Sequence, residues 1–266
     1  MWTQRGDLAI RVAELDGRQF SSGSDGDLDP DVVHFIRIVS PANRPRTVSD
    51  HALPEAMFAS TADALMDGCR LLRRLTARFP ASVVGPLARD QFWIATGRPK
   101  CVPPRASTLD RAHFVEMTAT TRIAASTNPF GVGIFTSTGL GDSAGMWWCY
   151  LKSEGSSLTP FPWKVWSLQT RQDVKVLEIT TAGEWVDFVS THALERGRLL
   201  YPDWRLAADK WDAIHMTLRA IAATQGMWLS AGERVVAAPF WDVESTLWLR
   251  WAFTAVEPVR EVGARW

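Results

Sequence analysis

Three groups of polar residues in the second half of the chain carry side chains that can take part in catalysis. In chain order they are Arg122, the hydroxyl run Thr136-Ser137-Thr138, and the acidic residues Asp242 and Glu244. The planar guanidinium of an arginine binds two phosphate oxygens at once. A carboxylate stabilises the positive charge that develops on a sugar ring while a glycosidic bond breaks. These residue types are therefore the first candidates for a site.

The order of these residues resembles that of ADP-ribosyltransferases of the Arg–Ser–Glu type. That family carries an arginine on an early strand and then a Ser-Thr-Ser-like strand. A glutamate, often in an acidic-or-Gln–x–Glu pair, opens a late strand. The resemblance covers about residues 111–256. The hydroxyl strand here reads Thr-Ser-Thr, and Asp242 stands where the family usually has Glu or Gln, a position that helps to select the target nucleophile.

The resemblance implies that the chain splits NAD, as its substrate, by mono-ADP-ribosyl transfer or by hydrolysis. Glu244 would stabilise the oxocarbenium-like ribose from an exposed position in a cleft, and Asp242 would engage the acceptor. Arg122 would bind the pyrophosphate, and the hydroxyl run at 136–138 would orient Glu244 and the nicotinamide ribose. The aromatic candidates for stacking on nicotinamide are Phe135, Trp147 and Trp148.

The same resemblance implies macromolecular partners. The acceptor of the ADP-ribosyl group is expected to be a protein or a nucleic acid. Bacterial and phage domains of this kind often act as toxins or conflict effectors, so an antitoxin-like protein is a further expected partner. The expected site contains no metal.

Two other functions fit parts of the sequence. In one, the chain is a non-enzymatic protein whose tryptophan-rich sheet and arginine stripe bind nucleic acid or a partner protein. The stripe consists of Arg70, Arg74 and Arg78. In the other, Asp212 and His215 lie three apart on one face of a predicted helix and bind a metal ion for hydrolysis. Asp203 or Glu244 would complete that site.

Composition narrows the class of protein. Lys+Arg and Asp+Glu each number 29, so a formal net charge of zero gives no general attraction to nucleic acid or anionic membranes. Three widely spaced cysteines support neither a zinc site nor a disulfide framework. The first residues lack the apolar core of a signal peptide, and no run approaches the ~18 apolar residues of a membrane span. We therefore expect a cytoplasmic globular protein that does not cross a membrane.

Hydrophobic periodicity predicts the elements that must position these residues. Strands are predicted where apolar residues alternate or where β-branched and aromatic residues cluster, and helices where apolar residues recur at three and four. The predicted strands are 8–12, 34–39, 113–123, 133–138, 163–169, 174–179, 235–238 and 246–253. The predicted helices are 54–79, a stretch that starts at 182, and 204–224.

This order lacks the regular strand–helix alternation of an α/β fold, and it favours the α+β class. The expected fold is a twisted, mostly antiparallel sheet with flanking helices and an N-terminal partly helical segment. The Pro- and Gly-rich run 96–108 is the expected linker. It divides the chain into an N-terminal segment, 1–105, and an ADP-ribosyltransferase-like domain, 106–266. Neither a G-x-G-x-x-G nor a Walker A sequence occurs, so nucleotide sites of those kinds are not expected.

Overall fold

The fold is an α+β arrangement in which helices cover one large sheet. The computed structural model describes residues 28–39, 69–96, 111, 114–119, 125–129, 132–141, 143–155 and 163–262. This part contains helices together with parallel and antiparallel strand pairs, so the predicted α+β class is confirmed. None of its helices is long and apolar enough to cross a lipid bilayer.

The strands of the described part are β1 (Asp90–Thr96), β2 (Ile134–Thr138), β3 (Trp163–Thr170), β4 (Val176–Ile179), β5 (Ala193–Arg196), β6 (Leu199–Pro202), β7 (Ala213–Met216), β8 (Leu229–Ala231), β9 (Arg234–Val236), β10 (Ser245–Trp248) and β11 (Phe253–Val262). The helices are α1 (Pro30–Val39), α2 (69–78), α3 (Pro80–Val84), α4 (Met146–Tyr150), α5 (Ala182–Thr191), α6 (Trp204–Lys210) and α7 (Leu218–Thr224). A 3-10 turn covers Met117–Ala119, and a π-turn covers Leu151–Gly155.

The larger sheet has seven strands in the order β11-β3-β1-β2-β10-β7-β4. Its neighbouring strands run antiparallel except β4 and β7, which are parallel. The sheet is therefore mostly antiparallel, as predicted. A smaller sheet has the order β5-β6-β9-β8.

Both faces of the larger sheet are covered, because alternate residues of one strand enter two different hydrophobic cores. In β7, Ala213 belongs to the core that contains residues of α1, α2 and β1. Ile214 and Met216 belong to the core built with α5, α6 and α7. A strand that is buried on both faces has apolar residues in succession and not in alternation.

Several predicted elements are confirmed. The predicted strands 133–138, 163–169, 174–179 and 235–238 correspond to β2, β3, β4 and β9. The predicted strand 246–253 divides into β10 and the start of β11. The helix expected from 182 is α5, which begins with a capping box: the Thr181 side chain accepts the Glu184 N–H, and the Glu184 side chain accepts the Thr181 N–H.

The strand predicted at His34–Val39 is wrong, because these residues lie in α1. The carboxylate of Asp29 accepts the backbone N–H groups of Asp31 and Val32 and so caps the first turn of this helix. Proline in the first turn is compatible with such a start. The buried inner face, at helical spacing, consists of Val32, Phe35 and Ile36. The predicted strand 8–12 lies outside the described residues.

The helix predicted at 54–79 is described only from residue 69. Its inner face is as expected, since Leu71 and Leu75 are buried and Phe79 is partly buried against the same core. The helix ends before Pro80, which starts α3. Arg70, Arg74 and Arg78 are exposed.

The arginine stripe of α2 contacts α1. Arg74 forms two hydrogen bonds with Asp31, at 3.1 and 2.8 Å, and Arg78 pairs with Asp29 and Asp31. The hydrogen bond from Arg74 holds the pKa of the Asp31 carboxyl below its usual value. Two members of the stripe therefore join α2 to α1 within the chain.

The helix predicted at 204–224 is wrong in its middle. The stretch contains α6, then β7, then α7. Ala213–Met216 are all buried because β7 lies between β10 and β4 in the larger sheet. A new helix starts after it, where the Thr217 hydroxyl accepts the Ala220 N–H. Local apolar spacing does not distinguish a short buried strand from part of a helix.

The strand predicted at 113–123 is not found in the part of it that is described. Residues 114–116 have no regular structure, and Met117–Ala119 form the 3-10 turn. The backbone N–H of Met117 donates to the carbonyl of Leu249, so the segment packs beside the sheet without joining it. Arg122 lies outside the described residues.

The boundary predicted near residue 105 falls between strands of the same sheet. β1 precedes that boundary, yet it lies inside the larger sheet between β3 and β2. No strand was predicted there. The described residues on both sides of position 105 therefore share one sheet and one core.

The buried face of α2 makes a stability prediction. Leu75→Ala removes a fully buried side chain, and we expect it to lower the free energy of unfolding by about 2–5 kcal/mol. Arg73→Ala, on the exposed face of the same helix, is the matched control and is expected to change stability by less than about 0.5 kcal/mol. Urea unfolding of the three proteins measures both effects. A Leu75→Ala protein as stable as the parent would mean that this face is not in the core.

Candidate functional site

The candidate glutamate lies where β10 begins, beside the end of β2. β2 and β10 are antiparallel neighbours with Thr246 opposite Thr136. Two residues before Thr246, the Glu244 carboxylate accepts the backbone N–H of Thr138, at 3.2 Å to Oε1 and 3.3 Å to Oε2. The structure thus brings Glu244 to the hydroxyl run. The expectation that Glu244 is exposed in a cleft is wrong, because the residue is 0% exposed.

A histidine that was predicted to lie on a helix is the second partner of this carboxylate. His215 is in β7, opposite Thr246 of β10 and opposite Glu178 of β4. Its Nε2 lies 3.1 Å from Glu244 Oε1, and its Nδ1 lies 2.5 Å from Glu178 Oε2. Glu178 also accepts the backbone N–H of Leu87 at 2.8 Å. The three side chains form a row across the sheet, which we call the Glu–His–Glu row.

The charge of His215 follows from this geometry. Each ring nitrogen faces a carboxylate oxygen, and an imidazole donates to both only when it is protonated. Burial by itself lowers the pKa of an imidazole, but the hydrogen bonds and charges of Glu178 and Glu244 outweigh it and raise the pKa of His215 to about 9. His215 is therefore an imidazolium at neutral pH.

The hydroxyl run is bonded within the fold. The Thr136 hydroxyl lies 2.6 Å from Gln91 Oε1 and accepts the indole N–H of Trp248 at 2.7 Å. The Thr138 hydroxyl accepts an amide N–H of Gln91 at 3.1 Å. The Ser137 hydroxyl accepts a backbone N–H, that of Trp147 at the start of α4, at 3.0 Å. These bonds fix the end of β2 against β1 and α4.

Asp242 has an unusual backbone conformation. Its φ is +60°, a left-handed value that non-glycine residues seldom adopt. The fully buried Gln225 supports it, because its amide N–H donates to Asp242 Oδ1 at 2.8 Å and its carbonyl accepts the N–H of Trp241. Backbone held in this way is common where a side chain must be presented at a site.

A small aromatic depression lies next to these segments. As it stands it has a cavity volume of about 10 Å³, and it is lined by Asn128, Phe135, Trp147, Phe240 and Trp241. The edge-to-face pair of Phe135 and Trp241, 5.3 Å between centroids, forms part of its wall. Two of its lining residues carry a buried polar atom, Asn128 Oδ1 and the indole N–H of Trp147, that has no hydrogen-bond partner among the described residues. Asn128 and Trp147 are each more than nine-tenths buried.

Two candidates for nicotinamide stacking, Phe135 and Trp147, line this depression, and the third does not. Trp148 packs edge-on against Trp163 in the hydrophobic core, with the Lys152 ammonium over its ring. Most tryptophans of the described part are likewise core residues. An exception is Trp228, which is 46% exposed.

Of the residues proposed for a metal site, His215 and Glu244 meet, whereas Asp212 and Asp203 bond elsewhere. Asp212 is a bend residue just before β7 and His215 lies within β7, so the two are not on one helix face. Asp212 accepts the Lys175 N–H at 3.0 Å, and Asp203 pairs with Arg205. In the part of the chain that the structure describes, no group of three or more His, Cys, Asp or Glu side chains is arranged to hold a metal ion. In the Glu–His–Glu row the two carboxylates bind opposite nitrogens of the ring, so they do not share one ion.

Sequence reasoning missed Glu178, Asn128 and Trp241 as site residues. Glu178 carried a usable signal, since it is the one carboxylate in the otherwise apolar strand Val176–Ile179, and a carboxylate in such a strand needs a buried partner. Asn128 and Trp241 carried no such signal in the sequence, because they meet only through the packing of loops that are distant along the chain.

The chain matches no protein-family model, no curated protein and no solved structure.

The raised pKa of His215 predicts how stability depends on pH. The folded-state value of about 9 exceeds the value near 6.5 of an unfolded histidine, so folding binds a proton between these pH values. The contribution of this residue is complete below about pH 6.5 and is lost as the pH rises through about 9.

Urea unfolding of the parent and of His215→Gln across this range measures the effect. We expect the difference in stability between the two proteins to shrink as the pH rises. The buried Cys149, whose pKa is raised to about 11 by burial, is common to both and cancels in the difference. A difference independent of pH would mean that His215 is neutral in the fold.

Proposed function

We propose that the chain cleaves the nicotinamide–ribose bond of NAD, as a mono-ADP-ribosyltransferase or an NAD glycohydrolase, with Glu244 as the stabilising carboxylate. The observation that carries the proposal is the contact between this carboxylate and the end of the hydroxyl strand, through the N–H of Thr138. A carboxylate held in that place is suited to the positive charge that develops on the ribose.

The aromatic depression supports the same substrate. A nicotinamide ring carries a carboxamide, which has N–H donors for Asn128 Oδ1 and a carbonyl acceptor for the indole N–H of Trp147. Phe135 and Trp241 offer aromatic surface to the ring. Two connections link the depression to Glu244. The Ser137 hydroxyl, next to Thr138, accepts the backbone N–H of Trp147, and Trp241 lies three residues before Glu244 in the chain.

The proposal includes a movement. Glu244 is covered, so NAD must displace part of the surrounding structure before its ribose reaches the carboxylate. We place that opening at the depression, which must widen to admit the nicotinamide ring and whose lining side chains lie on loops and at the ends of elements. Local rearrangement of this kind is common when an enzyme encloses its substrate.

The remaining roles follow the resemblance to ADP-ribosyltransferases. Arg122 is proposed to bind the pyrophosphate, and Asp242 to engage the acceptor, a protein or a nucleic acid. Phe135 keeps its proposed role beside the nicotinamide ring, and Trp148 is assigned to the core instead. A role as a bacterial or phage toxin, with an antitoxin-like partner in the cytoplasm, belongs to the same proposal.

Substitution of the carboxylate tests the chemistry. Glu244→Gln keeps the acceptor for the Thr138 N–H and removes the charge, and we expect it to lower nicotinamide release from NAD by about 10²–10³-fold. Glu195→Gln, an exposed glutamate on β5, is the matched control and should release nicotinamide at the parental rate. Release is measured by chromatography at a temperature where melting curves show every variant folded. Parental turnover in Glu244→Gln, or none in the parent, would refute the proposal.

Substitution of Trp147 tests whether the depression binds nicotinamide. Trp147→Phe keeps the aromatic ring and removes the N–H, and we expect it to weaken nicotinamide binding by about 3–10-fold, the value of one hydrogen bond. Trp148→Phe, one residue along the same helix and outside the depression, is the control and should bind like the parent. Calorimetric titration with nicotinamide and with nicotinic acid gives the comparison. Equal affinity for the acid would contradict recognition of the amide.

A further inference from the structure

His215, which bonds to Glu244 within the sheet, also bonds to a second carboxylate, that of Glu178. His215 could satisfy Glu244 with a single N–H, but its other nitrogen is bonded to Glu178 at 2.5 Å. The register explains this, because Glu178, His215 and Thr246 face one another on three adjacent strands. The ring therefore cannot tilt toward one carboxylate without lengthening its bond to the other.

The two carboxylates have different surroundings. The side chain of Glu178 is 28% exposed, whereas that of Glu244 is 0% exposed. Glu178 is also held by the backbone N–H of Leu87, and Gly85 leaves room for it: a Cβ there would lie 3.1 Å from Glu178 Oε2. Glu178 is thus the outer, solvated end of the row, and Glu244 is the inner end.

We infer that Glu178 and His215 are positioning residues, which fix the orientation of the Glu244 carboxylate for the proposed reaction. This inference rests on the proposed NAD cleavage. The charged groups that act on His215 are Glu244 and Glu178, from β10 and β4. Residues 85–88, which pack beside Glu178, carry no ionisable side chain. Removing the Glu178 charge therefore leaves the imidazolium with one anionic partner in place of two.

Glu178→Gln is the test, with Glu195→Gln as the matched control. We expect kcat for nicotinamide release to fall by about 10–100-fold, by analogy with the loss of outer hydrogen-bond partners of metal-binding histidines, with KM for NAD unchanged. In the parent, kcat should decline as the pH rises through about 9, where His215 loses its proton. In Glu178→Gln the decline should start at lower pH.

A second readout follows the imidazole without using catalysis. NMR titration of histidine-labelled protein, with His215→Gln to assign the signal, should show that Glu178→Gln titrates at lower pH than the parent. A lowered imidazole pKa with parental kcat and parental pH profile would overturn the positioning role and leave the proposed function standing. A parent that releases no nicotinamide would overturn the proposed function, and this role with it. An unchanged imidazole pKa in Glu178→Gln would show that the row is not coupled.

Discussion

One imidazolium is paired with two carboxylates inside the larger sheet, and the register of three strands depends on this pairing. A charged side chain removed from water needs a partner of opposite charge, since its loss of hydration costs several kcal/mol. His215 and Glu244 have no contact with solvent, so each is tolerated because the other is bonded to it. Glu178 brings the row to the surface, where water can share its charge.

This pairing constrains the order of the strands. The row forms only if β4, β7 and β10 are neighbours in the observed register, because a slip of one residue would turn His215 to the opposite face. That face belongs to the core built around α5, α6 and α7, where Ile214 and Met216 pack. A charged side chain there would meet only apolar neighbours. The row therefore specifies register, while the two hydrophobic cores supply most of the driving force for folding.

The same constraint gives the candidate site its character. Glu244 is held by a strand N–H and an imidazolium, and its neighbour Asp242 is held in a left-handed conformation by Gln225. An acidic group that is fixed and dry exerts a stronger electrostatic effect than one in water. The surrounding aromatic residues exclude water and leave a depression with one donor and one acceptor unused. The proposed glycosidic cleavage needs these properties.

Much of the fold could be predicted from the sequence, because local patterns report local structure. Alternation and β-branched residues predicted β2, β3 and β4, and helical spacing predicted α5 and the buried face of α2. The chain order of the hydroxyl run and Glu244 also indicated one site, and β2 and β10 are indeed neighbours.

The features that could not be predicted from the sequence depend on contacts between segments that are distant along the chain. His215 has the local spacing of a helix residue, and only its place between β4 and β10 makes it a strand residue with two acidic partners. The burial of Glu244 and the meeting of Asn128 with Trp241 have the same origin. A sequence window shows which side chains are near in the chain. It does not show which strands will pair, and pairing determines which charges meet and which are removed from water.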